Sequence, residues 1–125
     1  MEANGCVHLA LVDPEKAKRH LPETVEKLES FGTSAIMVGG STVASSQELD
    51  GTVKTIKDAC SLPVILFPNG LSGISRFADA IFFMSLLNSS KPQFIIGAQA
   101  LGAPVVKRFK LEPIPLGYIL VGDSS

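Results

Sequence analysis

Thr33-Ser34-Ala35-Ile36-Met37-Val38-Gly39-Gly40-Ser41 is an apolar run too short for a helix that stops abruptly at two glycines and a hydroxyl. A buried parallel strand that delivers a side chain to the rim of a sheet has this form. A second stretch repeats it: His8-Leu9-Ala10-Leu11-Val12 leads to Asp13, and Pro14 makes the chain turn. Two strands thus end in an acid and a hydroxyl.

Working outward, five short aliphatic runs read as strands: Val7–Val12, Ala35–Val38, Val64–Phe67, Ala80–Met84 and Leu116–Val121. They are continuous rather than alternating, as strands covered on both faces are. Between the first two, Leu21, Val25 and Leu28 form the stripe of an amphipathic helix, with Pro22 at its start and Gly32 at its stop. Between the next two, Leu49, Val53, Ile56 and Cys60 repeat the stripe, and Ser45 with Glu48 has capping-box spacing. A third helix is expected from Pro92 through Phe94, Ala98 and Leu101, with Pro104 bending or ending it before the basic turn Lys107, Arg108 and Lys110. The connection Pro68–Asp79 is rich in glycine and proline and has room for about one turn. Strand–helix–strand units with buried strands predict a parallel α/β sheet, either an open doubly wound sheet or part of a (β/α)8 barrel. A complete barrel needs ~250 residues. No Gly-x-Gly-x-x-Gly or P-loop follows the first strand.

The composition, 46% hydrophobic in 125 residues, suits one domain with a real core. Eleven Lys and Arg against twelve Asp and Glu, without a basic block, leave no footprint for nucleic acid. Cys6 and Cys60 are isolated, which fits reduced thiols and a cytoplasmic setting. No apolar run reaches the length of a membrane span, and Glu2 stands where a signal peptide carries positive charge.

If the first two strands are neighbours, Asp13 and Ser41 lie ~5 Å apart across the sheet. One carboxylate and one hydroxyl make half a magnesium site, completed by water and substrate phosphate oxygens. From spacing alone the simpler reading is that Asp13 caps a turn and Ser41 caps the next helix. Gly39 and Gly40 either let a phosphate approach the backbone or only make a tight turn. Lys16, His8 and the Lys107, Arg108, Lys110 cluster are candidate anion contacts, although a solvated lysine, a structural histidine and a helix carboxyl terminus explain them equally. Phe82, Phe83, Met84, Leu86 and Leu87 form an apolar block suited to a core or a lipid-sized groove. These residues single out no catalytic group.

HLALVDPEK (8–16), GTSAIMVGGS (32–41), PVILFP (63–68), ADAIFFMSLLNS (78–89), IIGAQ (95–99) and LEPIPLGYILV (111–121) together resemble the geranylgeranylglyceryl phosphate synthase family of phosphoglycerol prenyltransferases. The likeness is to the archaeal branch, since the bacterial enzymes typically carry lysine where this chain has Leu11. The resemblance implies a modified TIM barrel that joins geranylgeranyl diphosphate to sn-glycerol 1-phosphate by an ether bond with magnesium. It implies Asp13 and Ser41 as metal ligands, and beside them Gly39, Gly40 and Lys16 are the expected substrate contacts. Contact with a membrane surface through the lipid substrate and a homo-oligomer are further expectations.

Family members run on past the fifth strand into glycine-rich loops that cradle the glycerol phosphate. The chain is therefore expected to be the first five strands of a single barrel domain, residues 1–125, with the acceptor-phosphate residues beyond Ser125. Such a half-barrel either belongs to an active prenyltransferase or is a non-catalytic piece that only self-associates through its open edges.

Overall fold

The computed structural model describes residues 5–39, 45–68 and 73–122. Five strands, β1 (Leu9–Val12), β2 (Ala35–Val38), β3 (Val64–Leu66), β4 (Ala80–Leu86) and β5 (Glu112–Tyr118), form one sheet in the order β1-β2-β3-β4-β5. Every pairing is parallel. Helix α1 (Leu21–Ser30) connects β1 to β2, and α2 (Ser46–Ala59) connects β2 to β3. A π-helical turn (Gln93–Gly97) running into α3 (Ala98–Arg108) connects β4 to β5. Among the described residues of the β3–β4 connection there is no α-helix.

The register sorts side chains onto two faces. Ala10 pairs with Ile36, which pairs with Val64, and Val12 with Val38, which pairs with Leu66. This face packs with Val25 of α1, Leu49, Val53 and Ile56 of α2, and Val106 of α3 into the larger core. Val25, Ile36, Val53, Ile56, Val64 and Leu66 are all fully buried, each stabilising the fold by about 1.5–3 kcal/mol. On the opposite face Ala35, Ile65, Ala80 and Phe82 form a second, smaller cluster with Leu9, Met37, Phe67, Met84, Ile114 and Leu116. That face is less covered, and Leu11 on it is 56% exposed.

The helices begin and end as their residues dictate. At α2 the Ser45 hydroxyl accepts from the Glu48 N–H, and the Glu48 carboxylate accepts from the Ser45 N–H, a complete capping box. At the end of α1, Gly32 adopts φ +90°, and the Gly32 and Thr33 N–H groups close on the Glu29 and Leu28 carbonyls. Together these bonds are a Schellman closure.

Three expectations are corrected. β5 begins at Glu112, not Leu116, and ends at Tyr118, because Pro113 and Pro115 sit at positions where no donor is needed. Glu112 N–H donates to the Asp79 carbonyl and the Tyr118 carbonyl accepts from Leu87 N–H, so the alternate residues Pro113 and Pro115 turn their nitrogens toward the outer edge of the sheet. β4 runs to Leu86, two residues beyond Met84, in register with Tyr118. Pro104 does not end α3, which continues to Arg108. Val106 and Leu111, both buried beyond the proline at about 1.5–3 kcal/mol each, together offset the ~3 kcal/mol cost of an interior proline.

Candidate active site

Asp13 follows β1 directly, at the carboxyl end of the sheet. Its carbonyl accepts from the N–H groups of Lys16 and Ala17, and its Oδ1 accepts from Glu15 N–H at 3.0 Å. The turn-capping role is therefore real. It uses one carboxylate oxygen. The other, Oδ2, faces Lys16 Nζ at 3.8 Å, with the Asp13 side chain 17% exposed and that of Lys16 81% exposed. An acid and a largely exposed cation thus share one rim.

Gly39 is the neighbouring rim residue, its N–H bonded to the Val12 carbonyl at 3.0 Å. A Cβ there would lie 2.0 Å from the Phe67 carbonyl oxygen, so the glycine is required for β2 and β3 to end side by side. Gly40 and Ser41 lie outside the described residues. The N-cap of α2 is Ser45, so that helix does not depend on Ser41 for capping.

Among the described residues no three His, Cys, Asp or Glu side chains converge as a metal cluster. A cation at this rim would rest on Asp13 Oδ2, water and ligand oxygens. That donor set fits magnesium, which commonly keeps its waters and takes one or two carboxylates plus phosphate oxygens.

Across the sheet, a cavity of about 520 Å³ opens between β4, α3 and the end of β5, with Pro68 and Ile74 on its remaining side. Its wall is chiefly apolar: Ile81, Phe82, Phe83, Met84, Leu86 and Val106 line it. The cavity borders the connection that has no helix among its described residues, where a regular crossover would pack one against the sheet. That connection is held back against α2 instead. Fully buried Ser75 donates to Asp50 Oδ1 at 2.5 Å, and Lys54 Nζ lies 4.2 Å from the centre of the Phe77 ring. At the rim, the Asn88 amide donates to the Leu120 carbonyl and accepts from its N–H, tying the end of β4 to the chain beyond β5.

Phe82, Phe83 and Met84 of the apolar block therefore serve both as core and as cavity wall, Leu86 lines the cavity, and Leu87 is exposed. Phe82 packs edge-on to Phe67 with ring centres 6.0 Å apart. Sequence reasoning missed Gln99, Gly102 and Tyr118 as lining residues. The signal was present in the glycine- and proline-rich connection Pro68–Asp79, whose described residues contain no α-helix. His8 instead bonds through Nδ1 to the buried Thr33 hydroxyl at 3.0 Å, a structural contact. Lys107 and Arg108 occupy the last turn of α3, where cations complement the helix dipole.

A family model described as the PcrB family matches residues 1–125. The geranylgeranylglyceryl phosphate synthase of Pyrococcus abyssi is 56% identical over 122 residues, covering 97% of this chain and 48% of that protein. The synthase of Thermofilum pendens is 49% identical over 123 residues, covering 98% of this chain and 48% of its own length. Among solved structures, the (S)-3-O-geranylgeranylglyceryl phosphate synthase of Thermoplasma acidophilum, in complex with its substrate sn-glycerol-1-phosphate, superposes with a TM-score of 0.86 at 44% identity. That match covers 93% of this chain and 47% of the other. The wild-type GGGPS of Thermoplasma volcanium gives 0.84 at 45% identity, covering 90% and 46%. The chain spans about half the length of the curated relatives it matches. With five parallel strands in sequential order as the first part of a (β/α)8 barrel, and a family match along its whole length, the chain belongs to the PcrB family.

Proposed function

We propose that this chain is the donor-binding part of a prenyltransferase that joins an isoprenoid diphosphate, geranylgeranyl diphosphate, to sn-glycerol 1-phosphate through an ether bond. The observation that carries this reading is the pairing of an anionic rim with an apolar cavity on one sheet. Asp13 follows β1 and the cavity lies at β4 and β5, roughly 14 Å or three strand spacings away, a distance suited to an amphiphile with a charged head and a long hydrocarbon tail.

In this reading Asp13 and Ser41 would hold magnesium, and Lys16, Gly39 and Gly40 would face the diphosphate oxygens. Magnesium, when bound, neutralises charge building on the departing diphosphate. The acceptor hydroxyl forms a bond to the first prenyl carbon as the bond from that carbon to the diphosphate oxygen breaks. Pyrophosphate leaves, and the hydroxyl proton passes to solvent. The apolar wall formed by Phe82, Phe83 and Met84 keeps water from the tail and holds the reacting carbon at the rim. The surroundings are the cytoplasm, with contact to the membrane surface through the lipid substrate, and the working form is a homo-oligomer.

The test uses a protein that carries this chain at the full length of its relatives. Incubated with magnesium, geranylgeranyl diphosphate and sn-glycerol 1-phosphate, it should yield the ether. Ala98→Trp, which fills the cavity from the first residue of α3, should lower turnover at least about tenfold while leaving the thermal midpoint within a few degrees. Undiminished turnover in that variant would remove the cavity from the reading.

A further inference from the structure

The outward face of α3 differs in kind from those of the other two crossover helices. α1 exposes Glu23, Glu26 and Lys27, and α2 exposes Glu48, Lys54 and Asp58, with both signs interspersed as on a solvated surface. α3 exposes Ala100, Leu101, Ala103 and Pro104, and only then Lys107 and Arg108. Leu101 is 68% exposed, and Ile96 in the π-helical turn before it is 67% exposed. Gly102 and Val106 lie on the other side of the helix, buried at the cavity. Helices form the outer ring of a (β/α)8 barrel, so a face turned away from the sheet is molecular surface.

Charge is segregated over the same segment. From Ala80 to Leu111 the sequence has no Asp or Glu, yet it carries Lys91, Lys107, Arg108 and Lys110. Among the described residues Lys107, Arg108 and Lys110 make no ion pair. The helix dipole accounts for cations in the last turn, but not for the missing acids or for the leucine and isoleucine ahead of them. Exposed aliphatic side chains beside unneutralised cations are the two features that seat a helix in the headgroup region of an anionic bilayer: the aliphatic groups enter the acyl boundary and the cations meet lipid phosphates. A second copy pairing through this face would instead bring cations into an interface that offers them no carboxylate. We propose that the outward face of α3, from Ile96 to Arg108 with Lys110 beyond it, docks on the surface of an anionic lipid bilayer. The inference names the surface for the membrane contact given in the proposed function and rests on that reading for its purpose, while the binding itself needs no substrate.

The experiment is co-sedimentation, without substrate, of a protein that carries this chain at the full length of its relatives with vesicles of phosphatidylcholine alone or mixed equally with phosphatidylglycerol. Binding should be at least about tenfold tighter to the mixed vesicles and should weaken as salt is raised. Each cation near an anionic leaflet is worth about fivefold, so Lys107→Gln with Arg108→Gln should weaken that binding about thirtyfold. Leu101→Gln should weaken it at least about fivefold. All three positions are exposed, so the thermal midpoints should hold. No binding to the mixed vesicles, equal binding to both kinds, or undiminished binding in either variant would overturn the proposal. So would a shift of Leu101→Gln to smaller species in sedimentation velocity, which assigns the face to a second copy. Turnover with substrates dispersed in detergent reads the transfer reaction separately and should be unchanged in both variants; its absence alongside intact vesicle binding removes the transfer reading and leaves the docking surface.

Discussion

Gly39 and Phe67 meet at the carboxyl ends of β2 and β3 so closely that a Cβ on Gly39 would lie 2.0 Å from the Phe67 carbonyl oxygen and 2.9 Å from its carbonyl carbon. The contact is with backbone, and the backbone on both sides is pinned: Gly39 N–H donates to Val12 and Phe67 N–H to Val38. Gly39→Ala must push β2 and β3 apart at the rim that carries Asp13. A loss of at least about 2 kcal/mol is expected, read as a lower urea midpoint. An unchanged midpoint would mean that the strand ends separate freely.

Lys110 offers the opposite case. The Lys110 and Leu111 N–H groups close on the Lys107 and Val106 carbonyls, the same Schellman closure that ends α1, but the left-handed position is held by lysine at φ +56° where α1 uses Gly32. Leu111 and Val106 are both buried, so the closure is fixed by packing and the lysine carries the strain. Lys110→Gly should raise stability by about 1 kcal/mol, against the usual direction for glycine. Chemical denaturation measures it, and a fall in midpoint would contradict the strain argument.

The strands of the first half of the chain were legible because β1, β2 and β3 are continuous apolar runs whose ends are marked by Pro14, Gly39 and Pro68. β5 was only half legible, since prolines read as breakers unless the bonding side of each residue is known, and that side depends on Asp79 and Leu87 of another element. Asp13 and Lys16 were legible as a local motif. The cavity was not, because it arises where the β3–β4 connection meets α3 and β5, residues far apart in sequence.

The proline pattern makes its own prediction. Along the outer edge of β5, Pro113 and Pro115 present no N–H, so another chain finds few donors with which to pair. Replacing both with valine restores two donors and adds β-branched side chains to an exposed edge. Sedimentation velocity should then show a shift toward larger species at the same concentration. If the double variant sediments like the unmodified chain, edge pairing does not govern self-association.

Acid should loosen the start of α2. Its Glu48 carboxyl is held below the usual 4.5, first by the hydrogen bond from Lys18 and then by the Ser45 N–H, with the Lys18 charge adding to both. The folded value lies below the unfolded one, so the unfolded chain binds the proton more readily and the stabilisation is present above 4.5 and lost as pH falls through the lowered folded value. Glu48→Gln should therefore be less stable than the unmodified chain at neutral pH and equal to it in acid. Because Lys18 and Glu48 are exposed, the neutral-pH difference should shrink in high salt. A difference independent of pH would assign the effect to shape rather than charge.

Asp13 caps its turn, and the proposed function gives its carboxylate a second duty toward magnesium; two substitutions divide them. Oδ1 caps the turn by accepting from Glu15 N–H, a role that asparagine reproduces with its side-chain oxygen, whereas the charge at Oδ2 has no neutral substitute. In the protein at the full length of its relatives, Asp13→Asn should keep the thermal midpoint within a few degrees yet lower turnover at least about a hundredfold, since a neutral amide is a poor magnesium ligand. Asp13→Ala should lose turnover to the same extent and also about 1 kcal/mol of stability, the worth of a lost cap. Raising magnesium should recover part of the asparagine variant's rate if the carboxylate acts through the cation. Near-normal turnover in Asp13→Asn would reduce Asp13 to a turn residue and move the anionic end of the site elsewhere on the rim.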